Sequence, residues 1–214
     1  MARRELGPTA LRVGQTVAEL LPSGPVVVGV SGGADSMALA LGAVWASPRT
    51  RSEVLCVVVD HGLQAGSVEV TQRTVDALMS RGIAAEVRRV EVGRDGGIEA
   101  AARQARLAAL SRDGHPVLLG HTLDDQAETV LLGLLRGSGI RSLAGMSARR
   151  GPFLRPLLGI RRAETEAACR EWGVEWWDDP MNTDPRFARV RARSALALLA
   201  SELGRYVAVG LART

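Results

Sequence analysis

Two short apolar runs stand out in the first third of the chain. Residues 26–30 read Val-Val-Val-Gly-Val, and residues 54–59 read Val-Leu-Cys-Val-Val-Val. Continuous runs of β-branched residues are typical of strands that are buried on both faces, as in a parallel sheet. Two further strands are predicted at residues 83–92, nearer an edge, and at residues 116–120. The pattern therefore predicts a sheet of four strands.

Between these runs the apolar residues recur at helical spacing. Helices are predicted over residues 9–21, 37–45, 67–80, 98–110 and 124–135, and residues 47–50 are predicted to be a loop. Strands that alternate with helices at these lengths predict an α/β fold, a doubly wound parallel sheet with helices on both faces. Ligands of such sheets bind outside the carboxyl ends of the strands.

The first strand runs directly into Ser31-Gly32-Gly33-Ala34-Asp35-Ser36. A strand, a glycine-rich loop and a helix N-terminus together favour phosphate binding, because the backbone can approach the anion and present free N–H groups to it. A Walker A loop is excluded, since the chain contains no lysine. The Asp35 carboxylate would repel phosphate unless a cation lies between them, so Mg²⁺ is expected here. The alternative is a glycine-rich turn with a capping side chain.

A second group of polar residues follows the strand at residues 116–120. His121 precedes a predicted helix whose first turns carry Asp124, Asp125 and Glu128. Asp125 and Glu128 are three positions apart, so they share a helix face that points at the same rim as the glycine loop. Acids are also favoured in a first helical turn, and Thr122-x-x-Asp125 has the form of a capping box. The position opposite a phosphate loop favours a functional role.

Composition limits the classes of protein that remain. A chain of 214 residues suits one α/β domain, with or without an appendage. No apolar run approaches the roughly 20 residues of a membrane span, and the chain starts without an apolar signal segment, so no membrane partner and a cytoplasmic location are expected. The net charge is +4, and no acid occurs between Glu128 and Glu164, a segment that holds seven arginines. This stretch predicts contacts with RNA phosphates, and a solvated basic face is the alternative.

Several motifs resemble known proteins. Ser31–Ser36 resembles the PP-loop of the N-type ATP pyrophosphatases, which split ATP into AMP and pyrophosphate. The chain as a whole, over roughly residues 25–200, looks like tRNA(Ile)-lysidine synthetase. The motifs that carry this second resemblance are Asp60-His61-Gly62-Leu63, His121-x-x-x-Asp125-Gln126-x-Glu128-Thr129, Leu154-Arg155-Pro156-Leu157-Leu158 and Asp179-Pro180-x-Asn182-x-Asp184-x-x-Phe187-x-Arg189-x-x-x-Arg193.

The resemblance implies a reaction and a set of site residues. In that family, ATP adenylates C2 of the wobble cytidine of an isoleucine tRNA with anticodon CAU, and the ε-amine of free lysine displaces AMP. Carried over to this chain, the ATP-binding residues would be Ser31, Gly32, Gly33, Ala34, Asp35, Ser36 and His61. The catalytic residues would be Asp35, His121, Asp125, Glu128, Arg189 and Arg193, with Asp35 and Asp125 serving Mg²⁺. The tRNA-binding residues would be Arg103, Arg106, Arg149, Arg150 and Arg155.

The predicted organisation is a catalytic domain at residues 1–193 and the start of a helical linker at 194–214, since the family continues beyond this region. A homodimer is one possible assembly. Three other interpretations remain open: a PP-loop synthetase for a small molecule, an RNA thiolase and a non-catalytic nucleotide-binding domain. The basic stretch disfavours the first. The second needs paired cysteines, and Cys56 and Cys169 form no such motif. A non-catalytic nucleotide-binding domain would give Asp125 and Glu128 no functional role.

Overall fold

The computed structural model describes residues 6–60, 62, 66–91, 98–137, 144–204 and 206–212. Within these residues the sheet has the strand order β3-β2-β1-β4-β6-β5. All neighbouring strands are parallel except the outermost pair, β5 and β6. The predicted third strand lies at an edge, as expected. The strands are β1 (Gly24–Val30), β2 (Ser52–Asp60), β3 (Ala85–Arg89), β4 (Val117–Leu119), β5 (Arg149–Arg150) and β6 (Phe153–Leu154).

Eight α-helices occur in the described residues. They are α1 (Pro8–Leu20), α2 (Ala34–Thr50), α3 (Ser67–Met79), α4 (Ile98–Ser111), α5 (Leu123–Leu135), α6 (Arg162–Trp172), α7 (Ala188–Leu203) and α8 (Val207–Ala212). Two short 3₁₀ helices, Pro156–Gly159 and Pro180–Thr183, lie before and after α6.

Strand β1 shows why the sheet is covered on both faces. Val26 and Val28 belong to a buried cluster that includes residues of α1, α2, α3 and α6. Val27, between them, points to the other face and packs in a separate cluster with Leu110 of α4. Successive side chains of a strand point to opposite faces, so a continuous apolar run buries both. The predicted doubly wound fold is confirmed.

The predicted loop at residues 47–50 is wrong, because α2 continues through Pro48 to Thr50. Proline has no N–H to donate to the Val44 carbonyl one turn earlier, which normally disfavours a helix. Here the Ser47 hydroxyl donates to that carbonyl across 2.9 Å. The helix therefore keeps the carbonyl satisfied and ends one turn later than the proline indicates.

The C-terminal region is helical on both sides of the predicted domain boundary. A boundary at residue 193 would fall inside α7, so the division into residues 1–193 and 194–214 stays a prediction. Helices α5, α7 and α8 pack around Ala127, Leu196 and Ala208 in a small cluster of their own. Across the described ranges, no helix is both long and apolar enough to cross a bilayer.

Candidate active site

The glycine loop after β1 is held in shape by its own side chains and by a distant backbone group. The Ser31 N–H donates to Ser36 Oγ across 3.1 Å, and Ser36 Oγ donates to the Gly33 carbonyl across 2.9 Å. Gly32 has a φ of +87°, and a Cβ there would lie 2.6 Å from Thr74 Oγ1, so only glycine fits. The Trp177 N–H donates to the Gly32 carbonyl across 2.9 Å. The loop is therefore preformed at the N-terminus of α2.

Strand β4 brings the second group of polar residues against this loop. Gly29 of β1 pairs with Leu119 of β4, so the two strands end side by side. A Cβ on Gly120 would lie 3.1 Å from the Asp35 carbonyl oxygen, so the two backbones are in close contact. This contact places His121 and the start of α5 next to Asp35, as the sequence predicted.

Asp125 serves both of the roles that the sequence left open. Its Oδ2 accepts from the Thr122 N–H across 2.8 Å and from the Thr122 hydroxyl across 3.0 Å, which caps α5. Its Oδ1 points away from the cap and accepts from Arg162 Nη2 across 3.0 Å. The capping residue is therefore also part of a carboxylate cluster at the rim.

Arg162, the first residue of α6, lies among three carboxylates. Its Nε donates to Asp35 Oδ2 across 3.1 Å, its Nη2 to Asp125, and its Nη1 lies 3.7 Å from Glu128 Oε1. The Thr165 hydroxyl, one turn later, donates to Asp35 Oδ1. Neither Arg162 nor Thr165 was predicted from the sequence as a site residue. Three acids at one rim could have indicated that a cation must lie between them.

Glu128 is buried, with only 2% of its side chain exposed. Its Oε1 accepts from Arg193 Nε across 2.8 Å, while its Oε2 has no hydrogen-bond partner. The residue lines a cavity of about 110 Å³ between α5, α7 and α8. The other walls are Asp124, Arg193, Leu196, Ala197, Ala200, Tyr206 and Ala208. A narrow, largely apolar cavity with a carboxylate in its wall suits a ligand with an alkyl chain and a hydrogen-bond donor.

Burial and neighbouring charges set the protonation states at the rim. Burial, helped by Arg155, Arg103 and Arg106, lowers the pKa of His121 to about 4 against the opposing charge of Asp125, so the imidazole is neutral at pH 7. Burial raises the pKa of the Asp35 carboxyl, although Arg162 opposes that shift. Burial would also raise the pKa of Asp125, but Arg162 and the Thr122 N–H hold it below its usual value.

The predicted tRNA-binding arginines differ in exposure. Arg149 and Arg150 of β5 are exposed at the edge of the sheet, whereas Arg155 is only 6% exposed and donates from Nη1 to the Ser147 carbonyl across 3.0 Å. Arg103 and Arg106 of α4 are partly buried. The five residues therefore do not form one continuous exposed surface.

The two arginines that the sequence could not tell apart are separated by the structure. Arg193 reaches the carboxylate cluster through Glu128. Arg189 is exposed, and its charge lowers the pKa values of Arg103 and Arg106 after the larger effect of burial. The remaining predicted site residue, His61, lies outside the described residues.

The predicted metal ligands are arranged differently from a metal site. Asp35 and Asp125 are close enough to share Arg162, but each of their four carboxylate oxygens already accepts a hydrogen bond. In the ranges that the model describes, no group of three or more His, Cys, Asp or Glu residues is placed to hold a metal ion. As arranged, these residues do not fit Mg²⁺.

Comparison with known proteins adds the family. A PP-loop domain model matches residues 8–199. The chain is 57% identical over its full length to a tRNA(Ile)-lysidine synthase of Cutibacterium acnes, of which it covers 71%. It is 56% identical over 87% of its length to the enzyme of that name from Mycolicibacterium paratuberculosis and 52% identical over 91% to that from Leifsonia xyli; it spans 58% and 61% of these two relatives.

Solved structures agree at the level of the fold. A U34-tRNA thiolase from Methanococcus maripaludis superposes with a TM-score of 0.74 at 17% identity and covers 96% of this chain, which spans 77% of that structure. The chain belongs to the PP-loop proteins and, among them, to the tRNA(Ile)-lysidine synthase family. The chain spans about three fifths to seven tenths of the length of these relatives.

Proposed function

We propose that this chain is the catalytic part of an enzyme that joins free lysine to C2 of the wobble cytidine of an isoleucine tRNA with anticodon CAU. The observation that carries the proposal is the position of Glu128. Glu128 lines a narrow, largely apolar cavity behind the rim that holds the phosphate loop, and one of its carboxylate oxygens is buried without a hydrogen-bond partner. An amine-binding cavity and a nucleotide-binding loop at one rim are what an ATP-dependent ligation of an amine requires.

The first step uses the PP-loop. The C2 oxygen of cytidine attacks the α-phosphorus of ATP, the bond to the β-phosphate breaks, and pyrophosphate leaves. The preformed loop of residues 31–36 leads into the N-terminus of α2, where helix N–H groups can donate to the phosphates. A urea-like C2 is a weak electrophile, and adenylation of its oxygen provides a leaving group that an amine can displace.

The second step uses the carboxylate cluster. The lysine ammonium donates to Glu128 and approaches Asp125, the methylene groups lie against the apolar wall formed by Leu196 and Ala200, and a base removes one proton. The amine nitrogen then attacks C2 and AMP leaves. His121, neutral at pH 7, and Glu128 are the candidates for that base.

The RNA and the cations complete the proposal. Exposed Arg149 and Arg150 receive RNA phosphates, while Arg103, Arg106 and Arg155 receive anions closer to the rim. Mg²⁺ enters with the nucleotide, and a tRNA substrate places the reaction in the cytoplasm. A homodimer stays a prediction.

Analysis of the nucleotide products tests the first step. The chain is incubated with ATP and the CAU-anticodon tRNA, with and without lysine. AMP and pyrophosphate in equal amounts are expected, and ADP with orthophosphate would contradict the proposal. Asp35→Asn is expected to abolish turnover. Since Asp35 is paired with Arg162 and Thr165, far-UV circular dichroism must show that this variant is folded.

A further inference from the structure

The Arg162 guanidinium occupies the position between the carboxylates where a metal ion was predicted. Its Nε, Nη2 and Nη1 lie 3.1, 3.0 and 3.7 Å from oxygens of Asp35, Asp125 and Glu128, respectively. Each nitrogen of the guanidinium group therefore faces a carboxylate, an arrangement that suits a planar, permanently charged group. The backbone fixes this position, because the Arg162 N–H donates to Asp124 Oδ2 across 2.8 Å.

The same oxygens cannot serve a metal ion while Arg162 is in place. Magnesium takes about six oxygen ligands at about 2.0–2.1 Å in near-octahedral geometry. The second oxygen of Asp35 accepts from Thr165, and that of Asp125 accepts from Thr122. A metal ion would have to displace the guanidinium, since both cations need Asp35 Oδ2 and Asp125 Oδ1.

We propose that Arg162 is the resident cation of this carboxylate cluster and takes the place of the predicted metal ion. It neutralises Asp35 and Asp125, adds to the charge that Arg193 brings to Glu128, and keeps divalent ions out of the cluster.

Binding of Mn²⁺ without nucleotide tests this proposal. Free Mn²⁺ is measured by electron paramagnetic resonance in titrations of the full chain and of Arg162→Gln. The matched control is Arg161→Gln, whose guanidinium lies over the Tyr206 ring 3.8 Å from its centroid instead of among the carboxylates. Arg162→Gln is expected to bind Mn²⁺ about tenfold more tightly than the unmodified chain, because Asp35 and Asp125 lose their cation. Arg161→Gln is expected to bind Mn²⁺ as the unmodified chain does.

Two further results decide the interpretation. Adding Asp125→Asn to Arg162→Gln is expected to remove the gain, and a gain that persists would overturn the proposal. Equal Mn²⁺ affinity of the unmodified chain and Arg162→Gln would overturn it as well. Should Arg162→Gln not fold, crystals of the unmodified chain soaked in MnCl₂ give the answer: an anomalous peak between Asp35 and Asp125 would contradict the proposal, and its absence with Arg162 in place supports it. No ATP, lysine or tRNA is present, so these outcomes are independent of the proposed reaction.

Discussion

Arg193 Nε donates to Glu128 Oε1 across 2.8 Å, although 65 residues separate the two. Glu128 is almost completely buried, whereas Arg193 is 38% exposed. The pair ties α7 to α5 at the wall of the cavity, and it joins two residues that the sequence had assigned to the site separately. A buried carboxylate that loses a partner is costly, so this pair should contribute to stability as well as to the site.

Arg193→Gln tests that contribution. Breaking a fully buried ion pair costs about 3–5 kcal/mol, and the exposure of Arg193 reduces the expected loss in unfolding free energy to about 1–2 kcal/mol. Urea denaturation measures the change. Arg191→Gln, an exposed arginine on the same helix that contacts only backbone carbonyls of Pro185 and Arg186, is the control and should change stability by less than about 0.5 kcal/mol. Equal losses of unfolding free energy in Arg193→Gln and Arg191→Gln would contradict a stabilising contribution of the Arg193–Glu128 pair.

Ala200→Leu tests the cavity as the site of the lysine side chain. Ala200 lines the cavity of about 110 Å³, so a leucine there fills space that the methylene groups need. The KM for lysine should rise about tenfold, which corresponds to about 1.4 kcal/mol, while ATP affinity stays unchanged. Ser201→Leu adds the same side chain at the next, exposed position of α7 and should leave both constants unchanged. An unaltered KM in Ala200→Leu would show that lysine binds elsewhere.

His121 should make the folded chain less stable in acid. Its pKa is about 4 in the fold against 6.5 in the unfolded chain, so the unfolded state takes up the proton first as the pH falls. Folding free energy is therefore lost between about pH 6.5 and pH 4, and at pH 4.5 the loss is about 2 kcal/mol relative to pH 7.5. Comparison with His121→Gln isolates this effect, because the other titrating groups are common to both proteins. If the two stability curves stay parallel from pH 7.5 to pH 4.5, the imidazole is not held neutral by burial.

The exposed arginines of β5 should contribute to the salt dependence of tRNA binding. Each phosphate contact adds about 0.7–0.9 to the slope of log affinity against log salt concentration. Arg149→Ala with Arg150→Ala should lower that slope by about one to two and weaken all tRNAs about equally, because phosphate contacts position the RNA without reading its bases. Arg49→Ala with Arg112→Ala, which removes two exposed arginines in α2 and just after α4, is the matched control. If the slope is unchanged in the variant that lacks Arg149 and Arg150, these two residues are solvated and do not contact RNA phosphates.

The fold was largely predictable because its core strands are local apolar runs. Residues 26–30 and 54–59 are buried on both faces, and such strands need no knowledge of their partners to be recognised. Strands β5 and β6 have two residues each, too short for any periodicity to show. The edge pair exists because of its contacts with β4, which are not visible in the local sequence.

The site was predictable where a motif is contiguous. The loop of residues 31–36 and the segment from His121 to Glu128 carry their chemistry within a few positions. Arg162 was grouped with the basic stretch of residues 136–162, because its partner Asp35 is 127 residues away and only the fold brings the two together. The charge pattern shows that a segment is basic, but it does not show which of its arginines points into the protein.

Transfer of labelled lysine to RNA tests the central claim most directly. The chain is incubated with ATP, ¹⁴C-lysine and the isoleucine tRNA with anticodon CAU, and the RNA is digested and separated into nucleosides. The account predicts label in a modified cytidine, formed together with AMP and pyrophosphate, and no label when Glu128 is replaced by Gln in a folded chain. Cleavage of ATP to ADP and orthophosphate, or label that appears equally in Glu128→Gln, would contradict the account.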